Sequence, residues 1–164
     1  SKKDLKKRSE AIALAAMKYT MLRPDANNAI IFNKQESLRF EGNTGPYLLY
    51  TYARARSILR KAKKQIPKKF SFPEHLSDLH EKEKNLIAKL AAFPNIVQQS
   101  YESLAPNTIA NYSYELSQLF NEFYHSNQVI GSEKELFRLV LVDSFATVLK
   151  NALNLLGINI IENM

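Results

Sequence analysis

At 164 residues, 45% of them hydrophobic, the chain can bury a sizeable core, and its length sets one domain with an appendage as the expectation. It has no cysteine, which excludes disulfides, thiolate zinc sites and cysteine nucleophiles and makes a reducing compartment, the cytoplasm, the expected setting. A formal net charge of +7 implies a polyanionic partner or an anionic membrane surface, and it bears on association and not on fold.

The chain opens on Ser1-Lys2-Lys3-Asp4-Leu5, which lacks the apolar core of a signal peptide, and no later apolar run approaches the roughly 20 residues of a membrane span. Helical periodicity runs from about Leu5 to Arg23 and stops before Pro24, because a following proline disfavours the α region. From Asp25 to Asn43 the pattern is irregular, with Ala29-Ile30-Ile31-Phe32 as a candidate extended piece. A second helix is expected to begin at Asn43-Thr44-Gly45-Pro46, with Thr44 capping and Pro46 in the first turn, and to run to about Gln65. Pro67 and Pro73 bracket a polar link, and Asp78 with Glu81 offers a capping box for a third helix through about Ala92. Pro94 starts a short fourth helix and Pro106 a fifth, on which Ile109, Tyr112, Leu116, Leu119, Phe120 and Phe123 recur at helical spacing. Ser132 with Glu135 suggests a capping box for a sixth helix ending at Gly157. That helix is apolar almost all round, apart from a narrow stripe of Asp143, Thr147, Lys150 and Asn154, which makes it the central helix of an all-α bundle of about six helices. Four glycines leave no Gly-rich loop, and no long internal repeat is visible.

Catalytic signatures are missing. His75, His80 and His125 have no HExxH spacing, and neither a Walker A loop, a nucleophile elbow nor a dinucleotide fingerprint occurs. The informative feature is the second helix. Leu48, Tyr52, Ala55, Leu59 and Ala62 form the stripe expected against the core, while Tyr47, Tyr50, Arg54, Ser57, Lys61 and Lys64 form another. The latter joins two aromatic rings to a line of cations, the combination that neutralises phosphates and stacks unpaired bases. A basic helix face is also commonly just solvated, and a tyrosine at a helix start is commonly half-buried core.

The run Leu38-Arg39-Phe40-Glu41-Gly42-Asn43-Thr44-Gly45-Pro46-Tyr47-Leu48-Leu49-Tyr50, followed by Ala53-Arg54, closely resembles the segment entering the C-terminal domain of arginyl-tRNA synthetases. Phe120-Asn121-Glu122-Phe123-Tyr124, Arg138-Leu139-Val140-Leu141, and Val148 through Ile158 with a terminal Met164 resemble the close of the same family. The resemblance implies a helical DALR-type anticodon-binding domain, following a catalytic domain that activates arginine with ATP and magnesium. Neither the HIGH-type nor the KMSK-type signature of that catalytic domain is present here. It further implies that Asn43, Tyr47, Tyr50, Tyr124 and Met164 lie near the anticodon loop. The family often has Gln where Leu49 stands and Ala-His where Thr51-Tyr52 stands, so polar contacts from those positions are not carried over.

The resulting expectation is a non-catalytic, monomeric, cytoplasmic segment without its own cofactor. Residues 1–44 form a junction toward the catalytic domain, and residues 45–164 form the bundle. Arg54, Lys61 and Lys64 hold the backbone of an arginine-accepting tRNA, and Asn43, Tyr47, Tyr50, Tyr124 and Met164 meet its anticodon loop. A helical protein-interaction or assembly module without an RNA role is the competing reading, separable by tRNA filter binding. A small stand-alone enzyme would require a pocket with perturbed titratable groups.

Overall fold

A computed structural model describes residues 2–62 and 79–162. Over these residues the chain forms α1 (Lys2–Leu22), α2 (Lys34–Ser37), α3 (Gly45–Ala62), α4 (Glu81–Ala91), α5 (Phe93–Glu102), α6 (Asn107–Ser126) and α7 (Glu135–Leu155), with no strand among them. The all-α expectation holds, and its helices correspond to α1 and α3 to α7. The single-turn α2 is additional. It forms because Asn33 Oδ1 accepts the free N–H groups of Gln35 (3.0 Å) and Glu36 (3.2 Å). Ala29 to Phe32 make no ladder and lead into this cap.

Central placement of α7 follows from its composition. It packs against α3, α4 and α6, burying Phe137, Leu139, Leu141, Val142, Phe145, Ala146, Leu149, Ala152 and Leu153. Thr147, Lys150 and Asn154 are exposed and Asp143 half-exposed, so the narrow polar stripe is the one face left to solvent. Phe145 stacks on Phe120 of α6 with ring centroids 3.9 Å apart and planes 7° from parallel, both rings fully buried. Burying side chains of this size contributes about 1.5–3 kcal/mol each.

On the other side of α3 lies α1, whose Ala15, Ala16 and Tyr19 recur at helical spacing and are buried. Gly45 makes this crossing close: a Cβ there would lie 2.3 Å from the Ala15 carbonyl oxygen. The Tyr19 hydroxyl, 2.9 Å from the Ala110 carbonyl oxygen and 2.5 Å from Asn43 Oδ1, shares its single proton between them and ties α1 to α6 and to the entry of α3.

Helix ends partly correct the sequence reading. Thr44 Oγ1 accepts the Tyr47 N–H at 3.3 Å, as expected. The box assigned to Asp78 and Glu81 lies elsewhere: Asp78 is outside the described residues, and α4 is capped by His80 with Glu83. That box is two residues later because the His80 ring nitrogen, like a carboxylate, can accept a backbone N–H. Ser132 and Glu135 do not form a box either. Ser132 Oγ donates to Val129 O, and Glu135 accepts the Gly131 N–H at 2.9 Å, so α7 begins at Glu135 itself. Gly157 does occupy the left-handed cap position with φ 68°, allowing the Ile158 N–H to reach Leu153 O at 2.9 Å.

Beyond this cap the chain returns along α3. Arg56 Nε (2.9 Å) and the Tyr52 hydroxyl (3.1 Å) both donate to the Glu162 carboxylate, and Arg60 Nη1 donates to its carbonyl oxygen at 3.2 Å. Burial alone would push the Glu162 pKa up, but the hydrogen bonds from Arg56 and Tyr52 and the charges of Arg56 and Arg60 outweigh it and hold the pKa below the usual carboxylate value. A carboxyl with a depressed folded pKa contributes stability above its unfolded pKa of about 4.3 and loses it as pH falls through the folded value. The tail is therefore expected to stay latched at neutral pH and to detach in acid as pH falls through the depressed folded value. Amide exchange at Ile160 to Glu162 followed against pH checks this; a tail equally protected at pH 7 and pH 3 would contradict it.

Candidate nucleic-acid interface

On α3 the cationic stripe lies opposite the buried residues Leu48, Tyr52 and Ala55, because the two sets are offset on the helical wheel. Leu59 and Ala62 are only partly buried, while Leu49 and Ile58 join the core, so the buried arc is wider than the expected stripe. Tyr50 is 39% exposed and holds Arg54: the guanidinium Nη2 donates to its hydroxyl at 2.8 Å, with the guanidinium carbon 4.9 Å from the ring centroid. A ring and a cation one turn apart thus form a preorganised unit.

Tyr47 is placed differently. It is half-buried, packed edge-on against Tyr114 with centroids 5.7 Å apart, and its hydroxyl accepts Asn121 Nδ2 at 2.8 Å. Burial raises its pKa, so the phenol stays protonated at neutral pH. Arg54 Nη1 also reaches Asn121 Oδ1 at 3.5 Å, so Asn121 links the rings of the stripe through α6. Asn43 serves the α1–α3 junction, its side chain on Tyr19 and its carbonyl on Arg23 Nη1 at 2.9 Å. Lys64 and Met164 lie outside the described residues.

Arg54, Ser57, Ile58 and Lys61 form one wall of a groove enclosing about 520 Å³; Tyr124, His125 and residues 127–130 form the other. The structure therefore brings Arg54, Lys61 and Tyr124 together although they come from helices far apart in sequence. Tyr124 is 37% exposed, backed by Phe120 with centroids 6.4 Å apart and planes 12° from parallel, which leaves part of the ring facing outward. Among the described residues no acidic side chain lines the groove. Arg60, by contrast, points to the tail, within 3.8 Å of the Glu162 carboxylate. A second hollow, of about 360 Å³, is lined by Leu5, Arg8, Ser9, Ile12, Phe40 and Tyr50, so Tyr50 borders this apolar space while the Arg54 it holds borders the basic groove.

Asn121, His125 and Gln128 were not singled out from sequence. Asn121 and His125 lie on α6, three residues before and one after Tyr124, but only tertiary packing shows that they face α3. Among the described residues no helix is long and apolar enough to cross a membrane.

The chain matches the DALR anticodon binding domain family over residues 48–164. It is 40% identical over 158 residues to the arginine–tRNA ligase of Flavobacterium psychrophilum, covering 94% of this chain and 26% of that protein. It is 42% identical over 159 residues to the corresponding ligase of Bacteroides fragilis, with 93% and 26% covered. Among solved structures, Thermus thermophilus arginyl-tRNA synthetase superposes with a TM-score of 0.82 at 34% identity, over 94% of this chain and 27% of that one. The Plasmodium falciparum arginyl-tRNA synthetase gives a TM-score of 0.86 at 29% identity, over 98% and 28%. The chain thus spans about a quarter of the length of these relatives. A family match over most of the chain, close structural superposition and a basic groove on the matched segment agree: the chain belongs to the DALR anticodon-binding domain family.

Proposed function

We propose that this chain docks the anticodon arm of an arginine-accepting tRNA and that it works as the anticodon-binding part of an arginine–tRNA ligase. The observation that carries this is the convergence of Arg54, Lys61 and the outward part of the Tyr124 ring in one groove, with no acidic lining among the described residues. Cations there hold phosphates, which fixes register, and the exposed rings of Tyr124 and Tyr50 offer faces to unstacked loop bases. Arg54 enters the complex already oriented by Tyr50 and Asn121, so little side-chain freedom is lost on binding. Tyr47 supports this arrangement through Asn121, and Asn43, Lys64 and Met164 are assigned further contacts with the RNA.

The remainder of the relatives' length is assigned the chemistry: arginine activation with ATP and magnesium, and transfer to the tRNA. Residues 1–44 are read as the junction to that portion and residues 45–164 as the anticodon-binding bundle. Leu14, Met17 and Met21 support the junction, since they form a stripe along α1 with each residue at least 50% exposed. An apolar helix stripe facing water is the kind of surface a neighbouring domain covers. The working form is a cytoplasmic monomer.

Paired substitutions test the site. If its ring stacks on a base, Tyr50→Ala is expected to cost about 1–3 kcal/mol of binding free energy with the salt slope unchanged. Lys61→Ala is expected to flatten the log–log salt slope by about one unit and to weaken all tRNAs alike. Filter binding to an arginine tRNA and to one with a different anticodon reads both. Equal effects of Tyr50→Ala and Lys61→Ala on the salt slope would remove the stacking role.

A further inference from the structure

Glu83 has no exposed surface, and one guanidinium connects it to the groove described above. Its Oε2 accepts the His80 N–H at 2.8 Å as part of the α4 cap, and its Oε1 accepts Arg138 Nε at 2.7 Å. Arg138, on α7, has a side chain only 14% exposed. It donates Nη1 to the Gln128 carbonyl at 2.8 Å and Nη2 to Asn127 Oδ1 at 3.2 Å. Asn127, itself buried, sends its Nδ2 to Phe123 O at 3.0 Å. One planar fork therefore fastens the start of α4, the end of α6 and the α6–α7 link to α7.

The link has no regular hydrogen-bond ladder to hold it. Asn127 leaves α6 in extended conformation and Gly131 turns at φ 78°. Residues 127–130 nevertheless form the wall of the groove beside Tyr124 and across from Lys61. A buried ion pair is commonly no more stabilising than a well-packed apolar pair, because desolvation offsets the attraction. What this pair supplies beyond stability is geometry, since both Nη atoms of Arg138 donate to the link.

We propose that Glu83 and Arg138 are positioning residues for RNA binding: they touch no RNA and hold the 127–130 wall at the spacing that Tyr124 and Lys61 require. This role rests on the anticodon-arm reading above.

Arg138→Lys tests it in the whole chain, because lysine keeps the charge but cannot serve Glu83, Asn127 and Gln128 in one fork. Three readouts are needed: a thermal melt, amide exchange at Gln128 to Ile130, and filter binding of an arginine tRNA transcript over a salt series. The folded variant is expected to exchange faster at these amides and to bind the transcript about tenfold more weakly, taking as a guide the lower end of the loss when groups that orient metal ligands are removed. Its salt slope is expected to match that of the unmodified chain. A slope flattened by about one unit would make Arg138 a phosphate contact and overturn the proposal. Unchanged exchange at 128–130, or full affinity with a loosened wall, would overturn it too, leaving the anticodon-arm reading intact. Should Arg138→Lys not fold, Glu83→Gln, which keeps the volume and an acceptor for the α4 cap, takes its place under the same criteria. Unfolding of both would show a stability element and no positioning role. Failure of the unmodified chain to bind the transcript would overturn the anticodon-arm reading, and this role with it.

Discussion

Gly45→Ala is expected to destabilise the chain by about 3 kcal/mol, the upper end of what overpacking a close contact costs. Helix propensity alone gives the opposite sign, since alanine exceeds glycine by about 1 kcal/mol in a helix. The contact decides because the new Cβ would lie 2.3 Å from the Ala15 carbonyl oxygen and 2.6 Å from its carbon, both backbone atoms. They sit inside α1, so relief requires shifting that helix or breaking its ladder, and the adjacent Ala16 and Tyr19 are buried in the same interface. For a domain of this size the loss corresponds to roughly 6–12 °C in Tm. Thermal unfolding of the two chains reads it directly. A variant as stable as the parent, or more so, would show that α1 does not cross α3 this closely.

Affinity for tRNA is expected to fall steeply with salt. If about three to five phosphates are contacted, the log–log slope lies at roughly −3 to −5, so raising salt from about 50 to 200 mM weakens binding by roughly 60- to 1,000-fold. Arg54 and Lys61, which line the groove, would supply two of these contacts. Arg60 can contribute only by exchanging the Glu162 carboxylate for a phosphate, a step that lowers its net gain. A flat salt dependence would place the binding surface away from this groove.

Much of this architecture is legible in the sequence because it rests on local signals. Proline and Thr44 mark the start of α3, Gly157 marks the end of α7, and three- and four-residue spacings mark the buried faces of α6 and α7. What is not legible depends on partners distant in sequence. A single turn such as α2 is too short to show a period. A histidine cap at His80 has no strong compositional signal, and Ser132 looks like a cap although its hydroxyl is used by Val129. For the site, spacing alone puts Tyr47, Tyr50, Arg54 and Lys61 on one side of a helix. It does not show that Tyr47 turns inward to Asn121, that Tyr124 closes the groove, or that Arg60 is taken by the tail. Those three facts are set by how α3 packs against α6 and by where the chain end returns.

The anticodon arm is the part of the tRNA this domain is held to recognise, and its two isolated halves separate that claim from general attraction to RNA. Affinities should be measured at one salt concentration for the anticodon stem–loop and for the acceptor minihelix of the same arginine tRNA. The stem–loop is expected to retain most of the affinity of the whole tRNA, with the minihelix at least about tenfold weaker, because phosphates alone attract both while only the loop offers splayed bases. Equal affinity for the two halves, or preference for the minihelix, would contradict anticodon-arm docking by this chain.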